Sequence, residues 1–140
     1  MIAIPKTFIP LLLLSIAACS PVSYHRDGVT VRAEDGSKTA VNFASPSLVH
    51  VRAVPAGERF SRRESLCVLP QQAFRDWTRE MKGDSLLVLG TSEMTVEIAL
   101  DKGLVTFRDA EGRLLNAEKK RSFTPYSAGG ENAYSVLQTF

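Results

Sequence analysis

Few side chains in this sequence could do chemistry. There are two cysteines, Cys19 and Cys67, and two histidines, His25 and His50. A cysteine nucleophile needs a base or a cationic setting that lowers its pKa. Cys67 sits instead in the apolar stretch SLCVLP, where a thiol serves as a small packing group. Neither histidine has a cysteine or a regularly spaced acid nearby, so no metal-ligand spacing is present. His50 lies inside a strand-like run and reads as an outward, solvated imidazole. Asp27, Glu34, Asp35, Asp84, Asp101 and Asp109 lie in or beside turns, where a carboxylate bonds the local backbone. A glycosidase needs two carboxylates facing each other across a cleft, and no spacing marks such a pair. Phosphate-loop, dinucleotide and C-x-x-C motifs are absent. The expectation is therefore no catalytic residue, no cofactor and no metal. Trp77 is the residue that could bind, since an indole face can stack on a sugar ring. Core packing is its commoner use.

The elements that would position these residues are strands. The chain has 140 residues, one domain's worth, with 44% hydrophobic and 23% charged residues. Seventeen basic residues against fifteen acidic ones give a net charge of +2, too balanced to draw in nucleic acid. Turn signals recur along the chain: RDG at 26–28, EDGS at 34–37, PAG at 55–57, KGD at 82–84, DKG at 101–103, DAEG at 109–112 and AGG at 128–130. Between them lie short alternating runs. Val29 and Val31 share a face, as do Val41 and Phe43, Val49 and Val51, and Val96 and Ile98. SLLVLG is apolar on both faces, as in a strand covered on both sides. The pattern predicts an all-β fold, an antiparallel sandwich.

One stretch divides the rules. In LPQQAFRDWTREMKGD, Ala73, Trp77 and Met81 recur at helical spacing, whereas the surroundings favour a strand around Phe74 to Arg79. We take the strand on context. The cluster Lys119-Lys120-Arg121 reads as a solvated loop, with a phosphate or lipid headgroup as the alternative. The last ten residues, ENAYSVLQTF, alternate as a strand with no polar tail.

The front of the chain carries a different signal. Lys6 precedes an apolar run from Phe8 to Ala18, too short to span a membrane and followed by small residues. Ile16-Ala17-Ala18-Cys19 resembles the bacterial lipoprotein box. The resemblance implies cleavage of a signal helix, residues 1–18, and a lipid on Cys19. Residues 19–27 would then be a lipidated tether, and 28–140 the sandwich. With Cys19 lipidated, Cys67 has no partner for an intramolecular disulfide. More than one acyl chain is needed for stable anchoring, and the lipoprotein family carries three. Ser20 after the cysteine implies the outer membrane of a Gram-negative cell envelope.

From Gly28 onward the order of features resembles the N-terminal domain of glycoside hydrolase family 31, the α-glucosidase and α-xylosidase family. SLLVLGTSEMTVEIALDKGLVTFRDAEGRLLNAE looks like that domain's run of paired strands, and YSVLQTF is similar to its Tyr-x-Val-x-Gln-x-Phe strand. SPSLVHVRAVPAG resembles an upstream strand with an Arg-Val pair, here inverted as Val51-Arg52. The resemblance implies a galactose-mutarotase-like β-sandwich packed on a (β/α)8 barrel that holds both catalytic aspartates. None of that barrel is in this sequence, and no catalytic or substrate-contacting residue carries over. The expectation is an incomplete sandwich: a non-enzymatic fragment of a lipid-anchored glycosidase, whose partners are the barrel, the membrane and an α-linked oligosaccharide. The alternative is a complete small outer-membrane lipoprotein that binds a glycan or a protein.

Overall fold

A computed structural model describes residues 20–61 and 73–140. Cys19, Cys67 and the signal segment lie outside the described residues. The described chain is all β, with strands in three antiparallel sheets. The first sheet is a meander of β1 (Val22–Tyr24), β2 (Gly28–Arg32), β3 (Lys38–Ser45) and β4 (Leu48–Val54). The second is a meander of β5 (Thr78–Lys82), β6 (Leu86–Gly90), β7 (Met94–Ala99), β8 (Val105–Asp109) and β9 (Leu114–Ala117). The third is a two-stranded hairpin, β10 (Lys120–Ala128) with β11 (Glu131–Thr139).

The two larger sheets form the sandwich because their alternating residues need the same shelter. Val29 and Val31 of β2 and Val41 and Phe43 of β3 face inward, joined by Val22 of β1. Leu87 and Leu89 of β6, Val96 and Ile98 of β7, then Leu100 and Val105 come from the opposite sheet. Val88, on the other face of β6, is also buried, as the two-sided apolar run requires. Backbone and side-chain bonds tie the layers at several points. Glu34 N–H donates to the Asp101 carbonyl at 2.9 Å. The Thr91 hydroxyl donates to the Pro46 carbonyl at 2.6 Å.

Two boundaries differ from the sequence reading. Val22–Tyr24, placed in the tether, forms β1, pairs with β2 and puts Val22 in the core. The strand expected from Phe74 begins later, at Thr78. Residues 73–77 have no regular structure, and Phe74 and Trp77 pack against the core from there. Alternation alone does not say where backbone pairing starts, and the pairing runs from Thr78↔Gly90 to Lys82↔Leu86.

Two glycines answer to different constraints. Gly28, read as a turn residue, starts β2, where a Cβ would meet the Val41 carbonyl oxygen at 1.9 Å. Gly103 has φ +64°, and a Cβ there would meet the Thr39 hydroxyl at 2.7 Å. A left-handed non-glycine residue costs about 1–2 kcal/mol on backbone grounds alone. We expect Gly112→Ala, with φ +81° and open space around it, to lose about that much. Gly103→Ala should lose more, because Thr39 must also give way. Urea melts of the two variants check this. Equal losses would show that the Gly103–Thr39 fit carries no weight.

Candidate functional site

Trp77 is half-buried, and one side of its ring is already used. The indole stacks on Phe43 with centroids 5.9 Å apart and an interplanar angle of 28°. Its Nε1–H donates to the Arg26 carbonyl at 3.2 Å. The side chain thus closes one end of the sandwich and fixes the approach to β5.

Several of the candidate acids are held by local partners. Asp35 and Asp101 accept N–H bonds from their own turns, at 2.8 and 2.9 Å. Glu97 pairs with Arg108 at 3.2 Å, and Asp109 with Arg113 at 2.6 Å. His50 is exposed on β4, opposite Asn42, as an outward imidazole should be. His25 meets the Thr30 hydroxyl at 3.0 Å on the surface. Nothing among the described residues orients that ring as a catalytic base would require. A hollow of about 450 Å³ beside Ser20 and Pro21 is lined by Arg32, Glu34, Asp84 and Asp101, charges of both signs. Among the described residues no three His, Cys, Asp or Glu side chains gather as a metal site would need.

The strongest constellation is one that the sequence reading missed. Arg121, placed in a solvated basic loop, is turned inward, and Glu118 lies beside it with no exposed side-chain surface. Arg121 Nε donates to Glu118 Oε1 at 2.7 Å, and a terminal nitrogen donates to Oε2. Another terminal nitrogen donates to the Thr39 hydroxyl at 2.7 Å. Glu118 also accepts the Val105 N–H at 3.3 Å and the Gln138 amide at 2.9 Å. The pair therefore bolts the base of the hairpin to both sheets of the sandwich. The available signal was Glu118 three residues before Arg121, but that spacing has no special meaning outside a helix.

Beyond this bolt the hairpin emerges from the core. Directly paired residues share a face, so Phe123 with Val136 and Pro125 with Tyr134 form an apolar stripe. Val136 and Phe140 are more than half exposed. Tyr134 is half-buried and its hydroxyl meets Glu58 at 3.2 Å. Loss of solvent, and then the Glu58 carboxylate, push the Tyr134 phenol above its ordinary pKa.

This arrangement has a solved counterpart. The chain is similar to the GH31 alpha-xylosidase from Xanthomonas citri, with 31% identity over 84% of this chain and a TM-score of 0.73. These residues are an N-terminal β-sandwich domain of glycoside hydrolase family 31. The family 31 domain also matches the fold of the cycloalternan-forming enzyme from Listeria monocytogenes, solved with a pentasaccharide substrate. That match has 17% identity over 69% of this chain and a TM-score of 0.53. The chain spans 13% of the length of the alpha-xylosidase and 9% of the Listeria enzyme. No family model matches the chain, and no curated protein does. The described residues of the family 31 domain contain no helix, so no part of a (β/α)8 barrel lies among them.

Removing one member of a buried ion pair costs about 3–5 kcal/mol, because the other is left charged and unpaired. We expect that loss from Glu118→Gln and from Arg121→Met in chemical denaturation. The double variant Glu118→Leu, Arg121→Met should lose less than the two single losses added. Additive losses would mean that the two side chains do not act as a pair.

Proposed function

We propose that this domain is the non-catalytic N-terminal support of a lipid-anchored family 31 α-glycosidase of α-xylosidase or α-glucosidase type, working in carbohydrate metabolism. The observation that carries the reading is the 31% identity, sustained across 84% of the chain, with an alpha-xylosidase. The occupant of the hairpin's apolar stripe is then the (β/α)8 barrel, with the sandwich bracing it beside an α-linked oligosaccharide. Asp35, Glu97, Asp101, Asp109 and Glu118 serve turns and ion pairs, which suits a support more than a hydrolase.

The decisive experiment is to sequence the gene beyond the Phe140 codon. An in-frame or adjoining family 31 barrel is the expected result. A stop codon in a genome with no such barrel would overturn the proposal. The 140-residue chain alone should show no turnover of aryl α-glucosides or α-xylosides, and measurable turnover would refute its non-catalytic role.

The anchor is proposed at Cys19, with the protein held at the outer membrane. Cys19→Ala should abolish incorporation of a labelled fatty acid and release the chain from the membrane fraction. A variant that stays labelled would place the lipid elsewhere or remove it from the proposal.

A further inference from the structure

We propose that the anchored domain has no flexible tether: the end of the sandwich that holds Ser20 rests at the lipid headgroups, and the turn at Ser92 lies a strand's length farther out. This seat presupposes the proposed lipid on Cys19. Its own ground is how early the chain becomes fixed. The Pro21 carbonyl accepts the Arg32 N–H at 2.7 Å, just before β1 begins. The Ser20 hydroxyl accepts the Val22 N–H at 3.3 Å. Val22 itself pairs with Val31 and lies in the core. The chain is therefore held from the residue that follows Cys19.

That leaves little slack. Consecutive Cα atoms lie about 3.8 Å apart, so a lipid thioether on Cys19 falls within roughly 1 nm of Ser20. A free tether over residues 19–27 would span about 17 Å on average as flexible chain, and about 30 Å at full stretch. A coil of that reach lets a domain tumble clear of the bilayer, whereas an attachment beside β1 does not. The limit comes from the N-terminal side of the chain, so it holds whatever follows Phe140.

The strand registers say which surface meets the headgroups. Val22 pairs with Val31 and Arg32 with Lys38, so the turn at 34–37 shares the anchored end. In the facing sheet that end carries the turns at 83–85 and 101–103. Glu34 N–H donating to the Asp101 carbonyl, and the Thr39 hydroxyl donating to the Gly103 carbonyl at 2.8 Å, hold these turns together. The opposite end carries the turns at 46–47 and 91–93, joined by Thr91 and Pro46. Strand β6 runs from one end to the other, so Ser85 and Thr91 stand about 20 Å apart. Charge at the anchored end is balanced, with Arg32, Lys82 and Lys102 against Glu34, Asp84 and Asp101. The seat therefore draws on the covalent limit rather than on attraction to anionic lipid.

Fluorophores placed at Asp84→Cys, Lys102→Cys and Ser92→Cys, each in a full-length Cys67→Ser parent, test the seat. All three positions are exposed. The vesicles are phosphatidylethanolamine and phosphatidylglycerol with nitroxide-labelled headgroups. Labels at 84 and 102 should lose most of their emission, the label at 92 little, and high salt should leave that difference in place. An insert of about ten Gly and Ser residues between Ser20 and Pro21 adds roughly 17 Å of reach and should bring the first two labels to the level of the third. Equal quenching at all three sites, or a difference that survives the insert or vanishes in salt, would overturn the proposal. Incorporation of a labelled fatty acid is scored on the same preparations. A chain that carries the lipid yet shows no quenching at 84 and 102 refutes the seat alone. A chain that carries no lipid refutes the anchor, and the seat with it.

Discussion

The buried pairing of Glu118 with Arg121 is the constraint on which the rest of the domain depends. Taking a carboxylate and a guanidinium out of water costs several kcal/mol for each ion unless every polar atom finds a partner. Here the partners come from across the molecule: Thr39 on β3, Val105 at the start of β8, Gln138 on β11 and the Gly103 carbonyl. Satisfying the charges therefore requires both sandwich sheets and the hairpin to be in place together. The requirement spreads outward. Thr39 must stay close to position 103, and that closeness leaves no room for a Cβ on Gly103.

The same bolt explains how burial changes along the hairpin. At its base the Arg121 side chain is buried, while at its far end Tyr126 is exposed. In between, Phe123 and Tyr134 are half-buried, and Tyr134 reaches Glu58 in the segment after β4. A lone hairpin of two nine-residue strands is at best marginally stable in water. This one is held at one end by ionic and amide bonds, so its outer half can remain unpartnered and still keep its register.

The sandwich was legible in the sequence because period-two alternation and turn glycines are local signals. The faces through Val29 and Val31, Val41 and Phe43, and Val96 and Ile98 are those found in the core. What stayed illegible depended on partners far away in the chain. Arg121 looked like one of three exposed cations because nothing nearby announces that Thr39, eighty-two residues upstream, will receive it. Trp77 could have met a sugar, with core packing the commoner use, and only the fold brings Phe43 beneath it. Gly28 read as a turn residue, while its need for a bare Cα comes from the Val41 carbonyl on the next strand.

Charge placement then bears on the proposed role as a support. A catalytic carboxylate must keep a lone pair or a proton available to substrate. Glu97, Asp109 and Glu118 are occupied by arginines, and Asp35 and Asp101 by the N–H groups of their own turns. What the hairpin leaves exposed is apolar surface. The stripe through Phe123, Tyr134 and Val136 offers area without direction, suited to docking against a neighbouring domain.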